Sequence, residues 1–408
     1  MSSTQAPYRA GAPMPPEVFE TIRRRSLLEG CKWDAQVGDI ATLASFPLVL
    51  DAATARQLAM WAEALSAEAF AAEEEILHRP DLLPLLGLPT PLRHALSASG
   101  PLTPAAVRTI RFDFHFTTDG WRISEANSDV PGGFTEASHF AALVAAQYPT
   151  CHIIGNPGET WAQAMAQRIG DGGHVALLSA PGLMEDLQVV SFLARQLVAR
   201  GIAGQIVTPG QIIWRDRRAY LHGHAAPLAA IVRFFQGEWL VDWSDNSGWE
   251  YFFRDGLTPI AHPGLAMITE SKRFPLLWPH LTTALPTWKL LLPESSDPRD
   301  VPWMDDDGWL VKRAFSNTGD FVIMRSTSNR TNWSATCKAV RREPESWVAQ
   351  RRFIALPLTT PLGDLFPCIG VYTIDGRAAG IYARLSRSPV VDFRAIDIAA
   401  LIEDEQRS

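Results

Sequence analysis

A strand–helix–strand unit between residues 174 and 209 most constrains the fold of this chain. Residues 174–180 (HVALLSA) form a short apolar run, residues 186–201 have helical spacing and end at a glycine, and residues 204–209 (GQIVTP) predict a second strand. Two strands joined by a helix within about thirty residues are typical of parallel neighbours in one sheet. We therefore predict an α/β (α+β) chain in which a parallel sheet begins near residue 173.

The remaining pattern divides the chain into four segments. We predict a mainly helical segment over 1–105, a hairpin and helix over 106–172, the parallel α/β unit over 173–271, and further strands and loops over 272–408. Residues 52–77, rich in Ala, Leu and Glu, predict one long helix in the first segment. The turn after the first strand of the α/β unit is SAPGLMED rather than GxGxxG, which disfavours a nicotinamide or flavin enzyme.

Composition excludes several classes of protein. The net charge of −7 argues against a nucleic-acid partner bound by phosphate neutralisation. No apolar run approaches the roughly 20 residues of a membrane span, and no secretory leader opens the sequence. The four cysteines lie far apart, as expected for reduced thiols. These features predict a cytoplasmic protein with no membrane or nucleic-acid partner.

The segment from Arg111 to Asn127 predicts a hairpin with chemistry on one face. Its first strand alternates, so that Arg111, Asp113 and His115 share the face opposite three phenylalanines. A three-residue loop centred on Asp119 would place Asp113 opposite Glu125 and Arg111 opposite Asn127. Two facing carboxylates repel each other, and one arginine compensates them incompletely.

Two interpretations of this hairpin remain open on geometry alone. One is a solvated network of an arginine and two acids, and the other is a Mg²⁺ site, since Mg²⁺ takes carboxylate oxygens and leaves positions for phosphate. The turn-rich loop SDVPGG that follows Asn127, and the polar Glu136 and His139 beyond it, favour the Mg²⁺ site.

These motifs together resemble the circularly permuted ATP-grasp ligases of the glutathionylspermidine synthase family. The hairpin is similar to the family's magnesium motif in RxDF, in ExNxDxP and in the glutamate that follows. Four later stretches resemble further family motifs in the same order: TESKRF, WLVKRAFSNTGDFVIM, WVAQRRF and IGVYTIDGRAAGIYARLS. The resemblance covers residues from about 111 to 386 and implies an ATP-grasp fold whose α/β unit precedes the ATP site.

The resemblance also implies roles for individual residues. Two Mg²⁺ ions that bridge the ATP phosphates would be held by Asp113, Glu125 and Asn127. Arg111 would stabilise the transferring phosphoryl group, and Glu136 would contact substrate. The implied nucleotide-binding residues are Lys272, Lys312, Gly319, Gln350 and Arg384. Lysine occurs at only five positions in the chain, so two lysines at these motifs are informative.

Some residues depart from the family pattern. Ser316 and Asn317 stand where the family has an extra glycine and an arginine, so that Gly319 alone remains in this loop. Val130, Gly132 and Gly133 stand where family members often carry hydroxyl residues that help to bind glutathione. No catalytic cysteine of an added amidase domain is visible. The ATP-binding half of the resemblance is therefore better supported than the glutathione-binding half.

The resulting hypothesis is an ATP-dependent carboxylate–amine ligase that uses ATP and Mg²⁺ and forms an acyl phosphate. Its partners would be a small-molecule acid and an amine, either an amino acid or a polyamine, and a homodimer is one alternative for its assembly. A nucleotide-binding scaffold without activity and a small-molecule kinase remain as rival hypotheses. Trp239, Trp243 and Trp249, set among acidic residues, either clamp a cationic amine or belong to an ordinary loop.

Overall fold

The computed structural model describes residues 7–37, 40–170, 172–244, 246–316 and 321–403. Its α-helices are, in chain order, Pro16–Leu28 (α1), Ala52–Leu77 (α2), Thr90–Ser97 (α3), Ala141–Ala145 (α4), Pro157–Ile169 (α5), Met184–Val198 (α6), Met267–Glu270 (α7), Pro286–Leu291 (α8) and Arg330–Arg342 (α9). Its strands are Tyr8–Ala10 (β1), Gln36–Val37 (β2), Ile40–Ala41 (β3), Leu48–Leu50 (β4), Thr109–Thr117 (β5), Gly120–Asn127 (β6), Cys151–Ile153 (β7), His174–Ser179 (β8), Ala203–Val207 (β9), Ile212–Arg215 (β10), Arg218–Leu221 (β11), Ala230–Phe234 (β12), Ile260–Ala261 (β13), Ser295–Ser296 (β14), Trp309–Arg313 (β15), Val322–Ile323 (β16), Trp347–Arg351 (β17), Leu358–Thr360 (β18), Gly363–Ile374 (β19), Arg377–Ser386 (β20), Ile396–Ile398 (β21) and Ala400–Glu403 (β22).

The predicted parallel sheet is confirmed. Its strands lie in the order β13-β12-β8-β9, and all of its pairings are parallel. Every residue of β12 is buried, as expected for an inner strand whose two faces are both covered by other elements. Helix α6 follows β8 and connects it to β9, which makes the predicted strand–helix–strand unit.

A larger antiparallel sheet joins the two hairpins that carry most of the predicted site. Its strands lie in the order β21-β20-β19-β5-β6, and β18 pairs with β19. The β19–β20 hairpin turns at Asp375 and Gly376, which both have positive φ, as the Asp-Gly pair predicts. Strand β19 pairs with β5, so two hairpins that are distant in sequence share one sheet.

Two further four-stranded sheets are present among the described residues, one antiparallel and one mixed. The first, in the order β14-β17-β15-β16, carries the later lysine and glutamine motifs. The second, in the order β1-β4-β22-β7, joins strands from both ends of the described chain. The mixed α/β class is thus confirmed, whereas the four domain boundaries and the permuted order of the ATP-grasp motifs stay predictions.

Helix α2 spans the residues that the composition predicts. Asp51 caps it by accepting a hydrogen bond from the backbone N–H of Thr54 at 2.7 Å. Its buried residues recur every three or four positions, as in Leu58, Ala62 and Leu65. Among the described residues, no helix is long and apolar enough to cross a membrane.

The far end of α2 is anchored by a carboxylate. Glu75 accepts hydrogen bonds from the backbone N–H groups of Thr282 and Thr283, both at 2.7 Å, and from the Thr283 hydroxyl at 2.6 Å. These bonds, the Thr282 backbone bond first, lower the pKa of Glu75 from its ordinary value of 4.5 to about 2. The folded state therefore prefers the ionised carboxylate.

Replacing Glu75 with Gln should reduce the acid sensitivity of the fold. Because the folded pKa lies below the unfolded pKa, Glu75 stabilises the fold above pH 4.5 and loses this contribution as the pH falls towards 2. Thermal unfolding at several pH values in this window should show a steeper loss of stability for wild type than for Glu75→Gln. The exposed neighbour provides the control: Glu74→Gln should keep the wild-type slope, and equal slopes for all three proteins would refute the assignment.

Candidate active site

The β5–β6 hairpin has the predicted residue pairing at the site, but its turn is shorter than predicted and a β-bulge makes up the difference. Asp113 lies opposite Glu125, and Arg111 lies opposite Asn127. The expected three-residue loop is wrong, because Thr117 pairs with Gly120 and only two residues separate the strands. A β-bulge between Asp113 and Phe114 restores the register, since Ser124 has no partner on β5.

The Asp113 carboxylate is buried and surrounded by cationic groups. It accepts hydrogen bonds from Arg111 at 2.7 and 2.9 Å and from Arg384 at 3.1 Å. Asn127 donates a weaker bond from Nδ2 at 3.3 Å. Burial alone would raise the pKa of Asp113, but the nearby charges of Arg111 and Arg384 outweigh it and lower this pKa.

The structure agrees that Arg111 alone does not compensate the two acids, and it shows which other cations do so. Arg384, two strands away from Asp113, supplies a second cation, and Lys272 lies 3.5 Å from the Glu125 carboxylate. Charge repulsion between Asp113 and Glu125 therefore does not by itself require a metal ion.

The side chain of Arg111 packs against β19 at a glycine, Gly370. Gly370 pairs with Asp113, and a Cβ at position 370 would lie 2.7 Å from Arg111 Cδ. The guanidinium also donates to the Gly132 carbonyl at 2.7 Å and stacks 5.1 Å from the centre of the Tyr382 ring. Gly370 was not predicted to be part of the site, although it lies within the IGVY motif.

Two lysines from separate segments approach the same hairpin. Lys312 on β15 donates to the Ser124 carbonyl at 2.9 Å, and Lys272 donates to the Ser316 carbonyl at 2.8 Å. Burial lowers the pKa of Lys312 to about 8, and the charge of Lys272 adds to this effect, while Glu125 opposes it. A bound anion would raise the pKa of Lys312 again and so strengthen its charged form.

A cavity of about 760 Å³ brings the predicted residues together. It is lined by Arg111, Asp113, Glu125, Asn127, Glu136, Lys312, Gln350 and Arg384. Lys272 lines a small adjoining hollow, which shares Glu125, Lys312 and Gln350 with the cavity. Gln350 is buried and donates to the Ser295 hydroxyl at 3.1 Å. Gly319 and Asn317 lie outside the described residues, so their predicted roles stay predictions.

The cavity is also lined by a buried lysine for which no role was predicted from the sequence. The Lys32 ammonium lies 2.6 Å from Glu136, 2.8 Å from Asp34 and 2.8 Å from Asp397. The Tyr382 hydroxyl donates to Asp397 at 2.6 Å. No motif surrounds Lys32, so the rarity of lysine in this chain was the one feature of the sequence that could have indicated a role for it.

The three tryptophans of the 239–249 region have separate environments. Trp239 is 37% exposed and lines the cavity. Trp243 stacks on Phe235 at 5.8 Å, and Trp249 packs edge-on against Phe253. One tryptophan is therefore available to a ligand, and the other two belong to the packed interior.

Asp129, the aspartate of the ExNxDxP motif, has a structural role. Asp129 pairs with the buried Arg233 through both carboxylate oxygens, with one contact at 3.1 Å. It also accepts a hydrogen bond from the backbone N–H of Gly237 at 2.8 Å. Asp129 thereby fixes the loop after β6 against β12 of the parallel sheet.

These features define a mixed α/β protein whose cavity carries both cationic groups and carboxylates. The family model described as glutathionylspermidine synthase preATP-grasp matches residues 29–403, and the chain belongs to this family.

Solved structures show a similar fold. A glutathione synthetase-like effector from Globodera pallida, in its apo form, aligns with a TM-score of 0.61 over 94% of this chain and 96% of its own, at 11% identity. A putative gamma-glutamylcysteine synthetase from Methylobacillus flagellatus KT aligns at a TM-score of 0.41 and 13% identity, over 79% of this chain and 83% of its own. A comparison with curated proteins gives no match.

Replacing Asp129 with Asn should destabilise the fold, because it leaves the Arg233 charge buried without a counter-ion. Loss of one partner of a buried ion pair costs about 3–5 kcal/mol. Chemical denaturation should show this loss as a lower transition midpoint. Asp119→Asn, at the exposed tip of the same hairpin, is the control and should leave the midpoint unchanged. Equal midpoints for the two variants would contradict a structural role for Asp129.

Proposed function

We propose that the protein is an ATP-dependent carboxylate–amine ligase. The observation that carries this proposal is the convergence of four cations on the Asp113–Glu125 pair in the cavity and its adjoining hollow. These cations are Arg111, Lys272, Lys312 and Arg384. Four cations and two carboxylates leave a net charge of +2, which suits the phosphates of a magnesium-bound nucleotide. The cations come from different segments of the chain and meet only in the fold.

The residues present also fit Mg²⁺. Asp113, Glu125 and Asn127 offer carboxylate and amide oxygens, which Mg²⁺ prefers, and Glu125 is accessible from the cavity. Among the described residues, no group of three His, Cys, Asp or Glu side chains could hold a metal ion unaided. A site with two carboxylates agrees with this, since Mg²⁺ usually takes its other ligands from phosphate and water. When bound, Mg²⁺ would neutralise phosphate charge.

The proposed reaction has two steps. A substrate carboxylate oxygen attacks the terminal phosphorus of ATP, ADP leaves, and an acyl phosphate forms. The nitrogen of an amine then attacks the acyl carbon and loses a proton, the carbon–oxygen bond to phosphate breaks, and an amide forms. Arg111 and Arg384 would stabilise the charge that develops on the transferring group, and Lys312 and Lys272 would hold the nucleotide phosphates.

The cavity offers charged groups to the organic substrates. Arg111 and Arg384 are cationic and would hold the acid substrate next to the phosphates. Glu136 and Asp397 also line the cavity, but Lys32 already pairs with both carboxylates. The name of the family points to glutathione and spermidine as the first acid and amine to assay. Gln350, buried on β17, would contact the adenine.

Changing either carboxylate of the hairpin should abolish magnesium-dependent nucleotide use. We expect Asp113→Asn and Glu125→Gln to lower ADP release in an acid–amine mixture by about 100-fold or more, as for the loss of one group that stabilises a transition state. Calorimetry with ATP, with and without Mg²⁺, should show loss of the metal-dependent part of the affinity. Asp119→Asn in the same hairpin should retain wild-type binding and turnover.

Other outcomes would favour the rival functions. ATP binding without ADP release in any acid–amine mixture would indicate a nucleotide-binding scaffold. ADP release that needs an acceptor but no amine would indicate a small-molecule kinase. Unchanged ATP binding in both hairpin variants would make the carboxylates structural and refute the proposed site.

A further inference from the structure

The side chain of Gln350 has different neighbours on its two sides. On β17 it pairs with Ser295 of β14 and with Leu310 of β15, and the side chains of directly paired residues lie on the same face of a sheet. Leu310 has no hydrogen-bonding side chain, whereas the Ser295 hydroxyl lies 3.1 Å from Gln350 Nε2. Gln350 itself is buried and lines the cavity. Of these two neighbours, Ser295 is therefore the one that can orient the Gln350 amide.

The Ser295 hydroxyl fixes one orientation of this amide because its own proton is used elsewhere. Ser295 Oγ donates to the Pro293 carbonyl at 3.1 Å, and a carbonyl can only accept. The hydroxyl oxygen is therefore left to accept from the NH₂ group of Gln350. If the amide were reversed, the single hydroxyl proton would have to leave Pro293 for the Gln350 oxygen, and one of the two hydrogen bonds would be lost.

This orientation leaves the Oε1 atom of Gln350, which is an acceptor, for a ligand in the cavity. The same sheet also contributes Leu310, Lys312 and Val322 to the cavity, so the amide lies beside apolar side chains and a cation. Lys312 is two residues beyond Leu310 on β15, about 7 Å along the strand, so one nucleotide can reach both the amide and the ammonium. The base of that nucleotide would meet an acceptor in a mainly apolar setting.

We propose that Ser295 is a positioning residue that makes the nucleotide site select a 6-amino purine over a 6-oxo purine. With its amide fixed, Gln350 accepts from the amino group of adenine, whereas the 6-carbonyl of hypoxanthine or guanine would place a second acceptor against Oε1. Two facing acceptors in a buried place leave both without a partner, which is costly. This inference rests on the proposed function, in which Gln350 contacts the base, and adds the residue that sets the specificity of this contact.

The decisive variant is Ser295→Ala, and the probes are ATP and ITP with Mg²⁺. ITP has the same sugar and phosphates as ATP but a carbonyl in place of the 6-amino group, so the ratio of the two affinities reports on this position alone. Calorimetry should show that wild type binds ATP at least about tenfold more tightly than ITP. In Ser295→Ala the amide is free to turn, and the ratio should fall to about threefold or less.

Three further variants separate orientation of the amide from packing. Ser295→Thr keeps the hydroxyl and should keep the wild-type ratio. Ser296→Ala changes the next serine of β14, which is also half-buried but faces the other side of the sheet, and it should keep the ratio as well. Gln350→Leu removes the amide and should abolish the preference for ATP over ITP. This last variant tests the acceptor directly, even if Ser295→Ala does not fold.

The results separate this inference from the proposed function. Equal binding of ATP and ITP by wild type, or an unchanged ratio in Ser295→Ala, would overturn the role of Ser295. An equal loss of affinity for both nucleotides in Ser295→Ala would show a packing role and also overturn it. An absence of ADP release with every acid–amine mixture would refute the ligase proposal alone, since the binding ratios still decide the role of Ser295. If wild type bound neither nucleotide, both proposals would be wrong.

Discussion

The site depends on the ion pair between Arg111 and Asp113. Both residues are on β5, and the pair is buried between β6 on one side and β19 on the other. A buried ion pair is stable only when its remaining hydrogen-bonding groups find partners, and here Gly132, Arg384 and Asn127 provide them. Each partner comes from a different strand or loop, so this one pair fixes the relative positions of the hairpin, the loop after it and β20.

The elements that depend on local pattern were predictable from the sequence. Helix α2, the strand–helix–strand unit and the Asp-Gly hairpin follow from periodicity and turn chemistry, which act over a few residues. The pairing of Asp113 with Glu125 was predicted correctly from an incorrect loop, because the bulge at Ser124 compensates for the shorter turn. A β-bulge has no distinct residue pattern here, so the alternation of apolar and polar residues along β5 could not show where it lies.

The parts of the site that the sequence did not predict depend on long-range contacts. Lys32 lies 104 positions before Glu136 and 365 positions before Asp397, and nothing local to it indicates a buried ammonium. Likewise, the contact of Arg384 with Asp113 spans 271 residues, and it supplies Asp113 with a second cation that the hairpin alone does not contain. Family resemblance named Arg384, but only the sheet order explains how it reaches the carboxylate.

The order of strands in the antiparallel sheet has a consequence for biosynthesis. Strand β5 lies inside the sheet, yet its neighbour β19 begins about 250 residues later in the chain. While the ribosome is still making the intervening segments, the growing chain has β5 with one unpaired edge and a row of phenylalanines without its final cover. Until residues 363–386 emerge, this unpaired edge can pair with other chains, so association competes with folding while the intervening segments are made.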